Sequence, residues 1–264
     1  MQLFNGDCLE IMKSIPDKSV DMVLCDLPYG TTEFKWDSVI DFNILWQEYK
    51  RIIKDFSAIV LFGQEPFSSH LRFSNFDWYK YEWFWEKTRC GNILNSKNAP
   101  LKKIENIIVF SNGTIANCSP KRMKYNPQGL KVLGKKVKNK QKSIYHFGRE
   151  TKGAEIRKND FFIQEYTNYP CNILKFNSVS KPKHPTEKPI ELLEYLIKTY
   201  TNENEVVLDN CMGSGSTGVA AVKNHRDFIG IELDKKYFEI AKERINEAAM
   251  LNSIAYKSTV GRSD

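Results

Sequence analysis

Residues 205 to 221 read EVVLDNCMGSGSTGVAA: an apolar strand ending at Asp209, a loop of small residues, and a helix opening near Ser216. Within it Gly213-Ser214-Gly215-Ser216-Thr217-Gly218 fits G-x-G-x-x-G, and Glu232 stands 19 residues beyond Gly213, at the end of the next apolar run. Glycines at such a turn let the backbone approach a ligand closely, and a carboxylate one strand away can accept hydrogen bonds from both hydroxyls of a ribose. The stretch points to strands alternating with helices in a doubly wound α/β sheet, and it asks for a cofactor that contains a nucleoside. Two cofactor chemistries stay open on this loop alone. A dinucleotide would set its pyrophosphate on the helix N-terminus. S-adenosylmethionine has no phosphate and carries an ammonium, for which Asp209 beside the loop is the better neighbour.

The rest of the chain keeps the alternation. Residues 20–25, 58–62, 107–110, 206–208 and 228–231 read as short apolar strands, and 79–85 alternates strictly, with Tyr79, Tyr81, Trp83 and Trp85 on one face. Helical spacing predicts helices over 42–53, 190–200 (with Pro189 in its first turn), 216–223 and 235–245, and the last dozen residues read as a polar tail. From 111 to 183 the periodicity fades and Lys, Asn, Gly and Pro become common, with turns at Asn126-Pro127 and Gly134. The expected organisation is one domain carrying an insertion: a first half over 1–111, a basic insertion over 112–183, and a cofactor half over 184–264.

Charge separates these parts further. Residues 112–183 hold 16 Lys and Arg against 4 Asp and Glu, which leaves 23 basic and 28 acidic residues elsewhere. All of the positive excess thus lies in one segment, as expected of a polyanion-binding surface on an acidic body. The six cysteines are scattered, with no C-x-x-C pair and no histidine cluster, so neither a disulfide framework nor a zinc site is expected. The N-terminus lacks a signal-peptide core and no apolar run reaches the length of a membrane span, so a cytoplasmic protein without membrane contact is expected.

Beside these features stands CDLPYG, residues 25 to 30, which follows the apolar strand 20–25 directly. Asp26-Leu27-Pro28-Tyr29 resembles the catalytic D-P-P-Y of the amino-group DNA methyltransferases that use S-adenosylmethionine. Asp209 to Gly215, DNCMGSG, resembles their cofactor loop, and His184 to Pro189, HPTEKP, resembles the segment that precedes the cofactor half. The order, with the catalytic motif first, a basic variable region next and the cofactor loop last, resembles the family's beta group. The resemblance runs from Gly6-Asp7 to about Ile245.

The resemblance implies a Rossmann-like methyltransferase sheet with an inserted target recognition region. It implies cofactor contacts from Asp7, Asp26, Pro185, Thr186, Lys188, Asp209, Cys211, Met212, Gly213, Ser214, Gly215, Ser216, Glu232 and Leu233, with Asp7 at the position that meets the adenine amine. It implies double-stranded DNA as partner, and is compatible with a homodimer and a cognate restriction endonuclease. The chemistry fits these residue types. An exocyclic amine is a poor nucleophile until its protons are held by acceptors, and Asp26 offers a carboxylate while Leu27 offers a backbone carbonyl. Pro28 restricts the residue before it, and Tyr29 offers a ring for an unstacked base. Leu27 stands where the family often has proline, which leaves that loop less constrained. An acidic first residue favours adenine N6, with cytosine N4 as the alternative.

Lys121, Arg122, Lys124, Lys135, Lys136 and Lys138 are the expected phosphate contacts. TTEFKW, residues 31 to 36, is expected beside the flipped base, with Thr32, Lys35 and Trp36 toward DNA. Two rivals explain less. An oxidoreductase using GSGSTG for a dinucleotide leaves DLPYG and the basic segment without a role. A DNA-binding module with a dead cofactor site has no need of Asp26, Tyr29, Asp209 and Glu232 together.

Overall fold

The computed structural model describes residues 1–30, 40–138, 145–146, 149–150, 161–184 and 186–260. Thr32, Lys35, Trp36 and Pro185 lie outside the described residues. Two compact units are present, one of Met1–Asn126 with Asn172–Asp264 and one of Pro127–Cys171.

The larger unit opens with β1 (Gln2–Asn5) and α1 (Cys8–Met12), whose N-terminus is capped by the Asp7 carboxylate. There follow β2 (Val20–Cys25), α2 (Phe42–Ile52), β3 (Ile53–Gly63), α3 (Phe67–Ser74), β4 (Tyr79–Gly91), a 3-10 turn at Ile93–Asn95 and β5 (Lys102–Phe110). The smaller unit holds two antiparallel pairs among its described residues: β6 (Lys131–Lys138) with β9 (Phe161–Thr167), and β7 (Tyr145–His146) with β8 (Arg149–Glu150). The chain then completes the larger unit with β10 (Ile173–Lys175), α4 (Ile190–Tyr200), β11 (Val206–Asp209), α5 (Ser216–Lys223), β12 (Asp227–Glu232) and α6 (Lys235–Val260).

Eight strands form one sheet in the order β1-β12-β11-β2-β3-β5-β4-β10. The run from β1 to β3 is parallel throughout, β5 is antiparallel to both β3 and β4, and β10 is parallel to β4. This is the expected doubly wound, mostly parallel sheet. Its strands are covered on both faces, so they read as continuous apolar runs whose period of two emerges only in packing. Met22, Leu24, Ala58, Val60, Phe62, Ile107, Val109 and Val207 enter one core with α4, α5 and α6. Val23, Cys25, Ile59, Leu61, Ile108, Phe110 and Leu208 enter the other with α1, α2 and α3.

Two expectations on boundaries change. Helix α6 does not stop near Ile245 but continues to Val260. Ala241, Ile245 and Ala248 keep its apolar face on the core, and the Asn252 amide donates to the Val222 carbonyl at 2.8 Å. Ile53 is strand rather than helix: as the C-terminal cap of α2 it is already extended, at φ −73° and ψ 137°. Among the described residues no helix is long and apolar enough to cross a membrane.

Candidate active site

The parallel strands point their carboxyl ends to one edge of the sheet, where loops after adjacent strands meet. One cavity at this edge is lined by Asp7 after β1, Asp26 to Tyr29 after β2, Asp209 to Ser214 after β11, and Glu232 and Leu233 after β12. Thr186, Glu187, Lys188 and Ser216 line it as well. Of the expected cofactor residues within the described set, Gly215 is the one that stands back from the lining, and its role is structural. Its φ is +81°, and a Cβ there would lie 2.8 Å from Cβ of Ala241. Gly218 permits the same close approach one turn later, since a Cβ would meet Ile245 at 2.4 Å and Phe228 at 2.7 Å. Gly213, at φ +51°, turns its backbone N–H onto Glu232 Oε2 at 2.8 Å, while Asp234 N–H donates to Oε1 at 2.8 Å. Each carboxylate oxygen keeps a further lone pair for a ligand. Burial raises the Glu232 carboxyl above its ordinary value.

Asp209 is 3 % exposed, and burial pushes its carboxyl up to about 6. Its Oδ1 accepts from Cys211 N–H at 3.1 Å. Beneath it the Cys211 thiol lies within hydrogen-bond reach of both Cys8 and Cys25, and burial pushes the Cys25 thiol up to about 12. Asp7 spends Oδ1 on Leu9 N–H (2.8 Å) and Glu10 N–H (3.2 Å), so its cap fixes the carboxylate at the mouth of the cavity.

The loop Asp26 to Tyr29 is tied down more firmly than its sequence implies. Leu27 is 2 % exposed and packed in the core beside α2, so its side chain supplies the anchor that a second proline would give. Tyr29 stacks on Phe67, with centroids 4.7 Å apart, and donates its hydroxyl to Asp26 Oδ1 at 2.7 Å. Asp26 Oδ2 accepts from Lys188 Nζ at 2.5 Å. Lys188 also pairs with Glu105 at 3.0 Å, and Glu105 with Lys87 at 2.5 Å. Burial alone would lower Lys188, yet Asp26 and Glu105 hold it well above the usual lysine value. Burial alone would raise Glu105, yet Lys188 and Lys87 hold it below the usual range. Glu105 and Lys87 carry no motif. The one signal in the sequence was an acidic residue two places ahead of the apolar strand 107–110.

Segment 184–189 joins the two halves. Glu187 accepts from Lys183 N–H (2.6 Å), Ser216 Oγ (3.0 Å) and Arg244 (2.7 Å), and Arg244 also reaches the Ser214 carbonyl at 2.6 Å. A carboxylate therefore already sits at the start of α5, where a dinucleotide would place its pyrophosphate. Asp7, Asp26, Glu187, Asp209 and Glu232 bring five carboxylates to the cavity, against the Lys188 ammonium. This donor set fits a cationic cofactor with a ribose, the chemistry of S-adenosylmethionine. Glu232 would hold the ribose, Asp209 the ammonium, and Asp7 the adenine side.

The expected DNA contacts divide. Lys135, Lys136 and Lys138 are exposed on β6, with Lys136 Nζ 4.7 Å above the Phe161 ring. Lys121 and Arg122 are exposed on a turn after β5. Because β5 is antiparallel to β3, this turn lies at the sheet edge opposite Asp26. Lys124 is held there too, ion-paired with Glu205, its backbone N–H on the Phe56 carbonyl.

The chain matches the DNA methylase family of N6 and N4 methyltransferases over residues 20–243. The type II methyltransferase M.HinfI of Haemophilus influenzae is 26% identical, over 93% of this chain and 68% of its own. The DNA adenine methyltransferase YhdJ of Escherichia coli (strain K12) is 26% identical, over 94% and 83% respectively. The crystal structure of an M1.HpyAVI–SAM complex aligns with a TM-score of 0.58 at 26% identity, covering 93% of this chain and 98% of that one. With the match spanning both sides of the cavity, the chain belongs to the N6/N4 amino DNA methyltransferases, enzymes that draw their methyl group from S-adenosylmethionine.

Proposed function

We propose that this enzyme methylates the exocyclic N6 of an adenine flipped out of duplex DNA. The observation that carries the reading is the clamped carboxylate of Asp26, held by Tyr29 and Lys188 in the same cavity as the cofactor loop. Bound S-adenosylmethionine supplies an electrophilic methyl group. The protein's part is to make a conjugated amine nucleophilic. Asp26 accepts one amine N–H through a lone pair left free by its two partners, and the Leu27 carbonyl accepts the other. Holding both protons directs the nitrogen lone pair out of the ring plane as the methyl arrives, and the surplus proton passes to an acceptor already in contact. Tyr29 stacks one face on Phe67 and would offer the other to the base. An acidic first residue and a relative named as an adenine methyltransferase support adenine over cytosine.

We assign phosphate contact to the exposed β6 lysines of the Pro127–Cys171 unit, and target recognition to that unit. Lys124, already compensated by Glu205, and Lys121 and Arg122, on the far edge, are weaker candidates. A companion restriction endonuclease is in keeping with the type II relative. The test is transfer of labelled methyl to unmethylated DNA, followed by digestion and mass spectrometry of the nucleosides. Label in N6-methyladenine is expected. Label in N4-methylcytosine alone would overturn the adenine assignment, and no transfer would remove the activity altogether. Asp26→Ala should abolish transfer while calorimetry still detects cofactor binding.

A further inference from the structure

Strands β4 and β5 run on past the sheet edge that carries the active site. Glu105, linked through Lys188 to Asp26, marks the level of the catalytic loop. Beyond it Glu86 pairs with Ile104, and after an irregularity Gly91 pairs with Lys102. Three further residues carry the strand roughly 10 Å outward, at about 3.3 Å each. The hairpin tip is built rather than loose. Asn92 takes the left-handed region at φ +66°, and the Asn95 amide donates to Asn92 Oδ1 at 2.7 Å. Asn98 and Ala99 N–H both donate to the Asn95 carbonyl, at 2.9 and 3.0 Å. This scaffold presents Ile93 at 68 % and Leu94 at 99 % exposure. Residues 89–103 include Arg89, Lys97, Lys102 and Lys103 and no acidic residue, and among the described residues Lys103 alone of these four has a carboxylate partner, Glu86.

A single exposed leucine is unremarkable. Two adjacent aliphatic side chains on an ordered turn, flanked by cations, at the edge where a base must leave its stack, form a wedge. We propose that Leu94 inserts into the duplex at the step vacated by the flipped base, with Ile93 packed behind it and Arg89, Lys97 and Lys102 on the flanking phosphates. The inference rests on the base-flipping reading and deepens it by naming what fills the gap. Apolar wedges unstack a base step at a cost of a few kcal/mol, and an extruded base leaves an apolar-lined hole that such a side chain can occupy.

The test compares wild type with Leu94→Ala and Ile93→Ala/Leu94→Ala on duplexes carrying the enzyme's own site, identified by sequencing DNA methylated in cells. Each duplex is made fully paired and with a mismatch opposite the target base. On paired DNA the variants should lose on the order of 10- to 100-fold in kcat/KM, the equivalent of unstacking one step. On mismatched DNA the loss should shrink to about threefold or less, because the target is already loosened. Cofactor affinity should not change, and full exposure of Leu94 makes a folding defect an unsuitable explanation for any loss. No loss on paired DNA, or equal loss on both duplexes, overturns the wedge. A sedimentation coefficient that falls in the variants would place the tip in a protein–protein contact and overturn it too. Absence of transfer by the wild type, by contrast, would defeat the methyltransferase reading and this inference with it.

Discussion

Replacing Glu105 with Gln should destabilise the enzyme far more than its distance from any motif suggests. The substitution keeps the shape of the side chain and removes one charge from the chain Asp26–Lys188–Glu105–Lys87. Side-chain exposure is 5 % at Glu105, 9 % at Lys188 and 18 % at Lys87, so water offers little compensation. Opposite unit charges 3.0 Å apart, as Lys188 and Glu105 are, attract by roughly 5 kcal/mol at an effective dielectric near 20. Much of that offsets desolvation in the intact pair. Removing the Glu105 charge leaves Lys188 with Asp26 and takes the carboxylate from Lys87, so the cost should approach the about 3–5 kcal/mol of breaking a buried pair. At roughly 2–4 °C per kcal/mol for a domain of this size, the melting temperature should drop by about 6–20 °C. Urea denaturation followed by circular dichroism gives the free energy directly. Glu105→Gln/Lys188→Met should cost less than Glu105→Gln and Lys188→Met added together, because both single variants break the same Lys188–Glu105 pair. Glu105 sits below the usual carboxylate range when folded, so the stability it contributes is present above the unfolded value and lost as pH falls through the folded one. The wild-type advantage over Glu105→Gln should therefore shrink in acid. A single-variant cost below about 1 kcal/mol, or a double variant worse than the sum of its parts, would refute the reasoning.

Three further outcomes are expected. If Asp209, at about 6, holds the cofactor ammonium, binding requires its ionised form. Calorimetry should then find S-adenosylmethionine binding roughly tenfold weaker per pH unit below 6 and flat above it, and Asp209→Asn should remove that slope. The cofactor-free protein should respond in the opposite sense, since a raised carboxyl contributes stability below its unfolded value that is lost as pH rises through about 6. Gly218→Ala should invert the usual helix preference: alanine normally gains about 1 kcal/mol over glycine, but contacts at 2.4 and 2.7 Å should turn this into a net loss of about 1–3 kcal/mol, read by thermal melting. Lys135→Ala/Lys136→Ala/Lys138→Ala should flatten the salt dependence of DNA binding by about 0.9 in log–log slope per lost contact, and an unchanged slope would remove β6 from the phosphate contacts.

What the sequence disclosed was whatever is local. A strand followed by a glycine turn and a helix announces itself within a few residues, and the parallel sheet follows from several such units in a row. Asp26, Asp209 and Glu232 were legible because each closes a strand at the same edge. Glu105 was not, because its partner Lys188 is 83 positions away and only the antiparallel course of β5 brings them together. The same turn of the chain misled the reading of charge. Residues 112–183 form one basic segment in sequence, yet Lys121 to Lys124 belong to the larger unit and Lys135 to Lys138 to the smaller. Cys8, Cys25 and Cys211 were scattered thiols in sequence and are neighbours in space, because β2 and β11 lie side by side and α1, which carries Cys8, packs into the same core.

The smaller unit leaves and rejoins the larger one between two fixed posts. Asn126 is fastened through its N–H to the Thr199 carbonyl and through its amide to the carbonyls of Lys198 and Thr201, and the Asn172 carbonyl takes the Phe84 N–H. None of these bonds involves a side chain from within 127–171. Everything between the posts can be lengthened, shortened or exchanged while the ends of the body stay sewn shut. A lineage could thus rewrite that cassette without touching the residues that line the cavity.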